Sequence, residues 1–159
     1  MIKILAIYKK EIAGFFSSPI AFIFFGTYLL ITLFSFFWVE KFFSRNIADI
    51  RPLFEWMPIL MIFLASAITM KMWSEEKRMG TIELLLTSSA EIWQVTLGKF
   101  LACIALVAIA IFLTISLPIT IGLISPLDWG PIVGGYVATL FLAAAYLAIG
   151  MFASARSES

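Results

Sequence analysis

A chain of 159 residues that is 62% hydrophobic and only 13% charged carries more apolar surface than a soluble domain of its size can bury. Its net charge of +1 gives no steering toward nucleic acid, and the absence of histidine removes the commonest metal ligand and the usual near-neutral proton shuttle. The single cysteine, Cys103, lies in an apolar run, which excludes an internal disulfide and a cysteine-rich metal site and makes it a packing residue.

Residues 1–17 do not read as a signal peptide, because charges interrupt the apolar run and no small-residue cleavage site follows. On a helical wheel Ile4, Leu5, Tyr8, Ile12, Phe15 and Phe16 share one face. Lys3 and Lys10 lie opposite, while Lys9 and Glu11 flank the apolar stripe. Such a helix suits the membrane interface, with lysine heads toward anionic headgroups. Ser17, Ser18 and Pro19 end it.

A spanning helix needs about 20 mostly apolar residues. Four stretches qualify: 19–39, 53–73, 100–124 and 131–155. Glu55 and Pro58 leave the start of the second open. In hydrocarbon a lone strand cannot satisfy its backbone, and the unbroken apolar runs lack the alternation of a barrel, so all four are expected to be helices. The chain is thus an all-α membrane protein: one interfacial helix and four spans. Lys and Arg total eight on the side of the termini and the middle connection, against three on the other side, which predicts cytoplasmic termini. Trp38, Trp56, Trp73 and Trp129 fall near span ends, as an aromatic belt requires.

No span has a charge at its middle, unlike ion-coupled carriers. Thr27, Thr32, Ser35, Ser66, Thr69, Thr114, Ser116 and Thr120 either line a polar path or bond within their own helices, the second being the usual role. Gly135, Thr139 and Ala143 recur every four residues in the last span and would let another helix approach closely. Pro118 with Gly122 predicts a kink in the third span.

The middle connection, 74–99, is the most informative stretch. Glu75, Glu76, Lys77 and Arg78 form a mixed charge cluster, Gly80 permits a turn, and Thr81 can cap a short helix through Ile82, Glu83, Leu84, Leu85 and Leu86. Ser88 and Glu91 have the spacing of a capping box for the helix that follows. Exposed leucines on such a hairpin call for a partner or the lipid interface.

SEEKRMGTIELLLTSSAEIWQVTLGKF resembles the signature of ABC-2-type ABC transporter permeases. Lys10-Glu11, the Ser-Pro before the first span, and Ala-Ile-Gly-Met-Phe-Ala-Ser near the end extend the likeness over essentially the whole chain. Within the family it looks most like gliding-motility-associated, GldF-like permeases. The resemblance implies an elbow helix at 1–17 and a coupling hairpin at 74–99. Thr81 to Leu86 would dock on a cytosolic ABC ATPase subunit, with Glu75 to Arg78 as a charged gate beside it. It also implies a second permease subunit, as a homo- or heterodimer, and a bacterial inner-membrane location. ATP and Mg would be bound by the ATPase, with no cofactor on this chain. Family members carry six spans, so the chain is expected to lack the last two.

Two alternatives differ in class. A non-ABC polytopic protein, such as an assembly factor, anchor or small channel, would share the topology. A membrane enzyme is disfavoured, because neither histidine, a cysteine pair nor an intramembrane acidic pair offers catalysis. Gly98-Lys99 is no phosphate loop, since Phe100 stands where Ser or Thr is required and Trp93 where the first glycine should be.

Overall fold

The computed structural model describes residues 2–44, 49–78 and 91–156, without the side chains of Ile2, Ile20 and residues 71–78. The regular elements among the described residues are all helices, with no strand. Helix α1 (Ile2–Ser17) ends at the Ser-Ser-Pro break, where the Ser17 hydroxyl donates to the Gly14 carbonyl, and α2 (Pro19–Phe34) starts at once. A π-turn (Ser35–Val39) finishes the first span, closed by the Glu40 N–H donating to the Ser35 carbonyl. The chain then reverses at Lys41, whose φ of 48° lies in the left-handed region.

Helix α3 (Arg51–Arg78) begins where Asp49 accepts the Arg51 N–H, and it runs through Pro58 without ending. Neither Glu55 nor Pro58 delays its start. Helices α4 (Ile92–Leu113) and α5 (Ser116–Ile124) make up the third span, and α6 (Trp129–Arg156) the fourth. Among the described residues four helical stretches are long and apolar enough to cross a membrane: Ala21–Ser44, Arg51–Met70, Ile92–Ile124 and Trp129–Arg156.

The break between α4 and α5 has a direct cause. Pro118 has no N–H for the Thr114 carbonyl, and its ring crowds that carbonyl. Thr114 oxygen therefore takes the Leu117 N–H at 3.0 Å, a tighter turn, and the helix is interrupted one turn before the proline. The Thr114 hydroxyl bonds the Ile111 carbonyl and lies 3.2 Å from the Tyr136 hydroxyl, so α6 supports the break.

Helices α3 and α6 make the most extensive pair, followed by α1 on α4 and α4 on α6, while α2 touches both α3 and α4. Lipid offers no hydrophobic drive between helices, so close backbone approach and van der Waals fit hold such bundles together. The α3–α6 seam shows this. Gly135 sits against the Phe54 ring, and Gly150 against Thr69; a methyl at either would come within 2.7 Å and 2.5 Å of those side chains. The two contacts recur at the same interval along both helices, which run parallel. Between them Met57, Met61, Leu64 and Ile68 bury against Ala143 and Leu147 in a common core with Leu106 and Ala110 of α4.

The hydroxyls bond their own helices. Thr32, Ser66, Thr69, Thr120 and Thr139 each donate to the carbonyl four residues back, and Ser116 to the one three back. Tyr28 donates across to the Met57 sulfur at 3.3 Å, tying α2 to α3.

Gly150→Leu is expected to wedge α3 from α6 and destabilise the protein by about 2–3 kcal/mol. Gly134→Leu, where nothing lies within 4 Å, should be nearly neutral. Thermal unfolding of both variants in detergent checks the contrast.

Candidate functional site

The end of the bundle that carries the α3–α4 connection is built from α1 and the first turns of α4. Helix α4 starts at Ile92 and runs unbroken into the third span, so Lys99 lies about two turns inside it. A lysine so placed needs a counter-charge, and α1 supplies one. Lys99 is 1% exposed, and its Nζ is 3.3 Å from Glu11 Oε1, whose side chain keeps 17% of its surface open. The pair can form because α1 comes very close. A Cβ on Gly98 would lie 2.9 Å from the Ile7 side chain and 3.2 Å from the Ile4 carbonyl. Gly98 thus sets the approach and Lys99 the register, over an interval of 88 residues.

At the head of α4 Glu91 stands at the N-cap, extended at φ −72° and ψ 146°, and its carboxylate accepts the Trp93 indole N–H. The Glu91 backbone carbonyl accepts from Gln94 and Val95. Ser88, the other half of the expected capping box, lies outside the described residues.

The other candidate residues are distributed as follows. Lys3, Lys9 and Lys10 are exposed on α1; Phe15 packs on the core, and Phe16 contacts the Phe22 and Phe25 rings. Glu75, Glu76, Lys77 and Arg78 occupy the last turn of α3, with their side chains outside the described residues. Gly80, Thr81, Ile82, Glu83, Leu84, Leu85 and Leu86 also lie outside them, so the short docking helix and the charged gate remain expectations. Thr139 and Ala143 are buried, and Gly135 meets Phe54 within this chain.

At the opposite end a pocket of about 220 Å³ is lined by Asp49, Arg51, Phe54 and Asp128 among others. Both carboxylates serve helix starts there: Asp49 accepts the Arg51 N–H, and Asp128 the Gly130 N–H. Among the described residues no group of three or more His, Cys, Asp or Glu side chains is placed to hold a metal.

The Glu11–Lys99 pair is the feature that sequence reasoning missed. Its one trace was Glu11 at the edge of an apolar stripe; nothing local connects it to Lys99. Glu11→Leu removes the counter-charge of a buried cation and is expected to cost about 3 kcal/mol. Glu11→Leu with Lys99→Met should regain most of that loss, as unfolding of the single and double variants in detergent would read.

No curated protein and no solved structure gives a significant match to the chain. The family model described as ABC-2 family transporter protein matches residues 5–159, which takes in most of α1, the Glu11–Lys99 pair and all four spans. The chain belongs to the ABC-2 family of membrane transporter proteins.

Proposed function

We propose that this permease domain is the membrane half of an ATP-driven exporter, powered by a separate cytosolic ABC ATPase that binds ATP and Mg. Membership of the family excludes the unrelated anchor or channel as the reading of this topology. The single observation that carries the proposal is the mechanical setting of the α3–α4 connection. Helix α3 has 28 residues, about 42 Å at 1.5 Å per residue, against a hydrocarbon thickness of about 30 Å. The helix carries Glu75, Glu76, Lys77 and Arg78 in its last turn, so it is longer than a membrane core requires and ends in charge. On the other side α4 is clamped to α1 at Gly98 and Lys99. A segment held between two such supports suits the transmission of force.

In this reading Thr81 to Leu86 docks its leucines in a groove of the ATPase, and Glu75, Glu76, Lys77 and Arg78 set the register by charge. ATP-driven closure of two ATPase subunits then pushes two permease subunits, alike or different, and rocks α3 and α4. Both termini face the cytoplasm of a bacterial inner membrane. A gliding-motility-type system is the nearest role that the hairpin motif suggests.

Leu84→Asp or Leu85→Asp is expected to weaken co-purification with the cognate ATPase by about tenfold or more, as the loss of a buried leucine implies. Unchanged capture by both variants would remove the coupling assignment while leaving the family intact. For orientation, a reporter active only in the cytoplasm should work when fused at either terminus. Silence at both ends would invert the topology.

A further inference from the structure

The two charges that flank the apolar stripe of α1 have different surroundings. Glu11 turns inward to Lys99 at 3.3 Å, whereas Lys9 stays exposed. Neither an ion pair nor a hydrogen bond engages Lys9 among the described residues. A groove of about 670 Å³ lies between Ile4, Leu5 and Tyr8 of α1 and Leu97, Leu101 and Ile104 of α4, and Lys9 directly follows the lining Tyr8. Leu5, which is 55% exposed, and Lys9 are one turn apart on the same side of α1. The groove follows α4 for roughly 10 Å into the Ile92–Ile124 span.

These features specify an occupant. Apolar walls inside a span exclude a water-soluble ligand, and an elongated groove suits a hydrocarbon chain. Lys9, one turn from the lining Leu5, is not offset by the one acidic residue of its own helix, because Glu11 is committed to Lys99. We propose that the α1–α4 groove is a binding site for an anionic phospholipid, with an acyl chain along Leu97, Leu101 and Ile104 and the headgroup phosphate on Lys9. Tyr8, which lines the groove, carries a phenol that can donate a second hydrogen bond to the headgroup. Lys10, on the opposite face of the helix, takes no part. The Glu11–Lys99 pair serves the site indirectly: it holds the two walls together and keeps the carboxylate away from the phosphate. The site stands whether or not the hairpin engages an ATPase.

The test uses the whole chain, reconstituted in equal parts phosphatidylglycerol and phosphatidylcholine, then extracted and weighed with its retained lipid by native mass spectrometry. The wild type should retain phosphatidylglycerol in preference. Lys9→Gln should cut that preference roughly fivefold, the worth of one basic side chain at an anionic surface, and Lys10→Gln should leave it unchanged. Leu101→Trp, which fills the groove, should lower retention of phosphatidylglycerol. Equal retention of the two lipids by the wild type would overturn the proposal. So would equal losses in Lys9→Gln and Lys10→Gln, which mean diffuse surface charge, or full retention in a folded Leu101→Trp. If Leu101→Trp fails to fold by circular dichroism, the two lysine variants still decide.

Discussion

A peptide group in hydrocarbon finds no water to hydrogen-bond and must be satisfied within the protein, and the architecture of this chain follows from that constraint. It makes every span a helix, and it leaves no gain from hiding one apolar side chain against another, because lipid is as good a solvent for both. What holds the helices together is therefore contact at short range. The α3–α6 seam meets this demand by placing Gly135 under a phenyl ring and Gly150 under a threonine. The hydroxyls of Thr32, Ser66, Thr69, Thr114, Ser116 and Thr120 likewise bond carbonyls three or four residues back, the usual role of such groups.

Charge obeys the same economy. The middle of the bundle holds none, and Lys99 enters a helix only because Glu11 meets it there. A buried pair of this kind is weak evidence for stability, since desolvating both ions offsets much of their attraction. Its value lies in specification. With Gly98 allowing contact, the pair fixes where α1 lies on α4, so the N-terminal helix and the base of the hairpin become one body. Within that body Glu11 and Lys99 face each other, while Lys9 stays exposed.

In the proposed reading, function resides in mechanics rather than chemistry. The features that recur are stiffness, in a 28-residue α3 that passes through Pro58 without breaking, and a defined interruption, at Thr114 where Pro118 forces a tighter turn. A rigid lever and a local break are parts suited to moving helices past one another.

By itself the sequence determined the class of the fold, the number of spans and the break at Ser17-Ser18-Pro19, because these depend on local composition and on prolines whose effects act within one turn. Pro118 was readable as the cause of a kink, though Pro58 showed that the same residue can be absorbed in a helix. Gly135, Thr139 and Ala143 announced a close helix approach without naming the neighbour. Only the tertiary structure decided that Phe54 fills that place, that α4 takes Lys99 in from Ile92 onward, and that Glu91 caps through its backbone while its carboxylate turns to Trp93. Each of these depends on a group brought from elsewhere, Glu11 across 88 residues in the case of Lys99. Periodicity shows which face of a helix is apolar, but the partner of that face is set by packing in three dimensions.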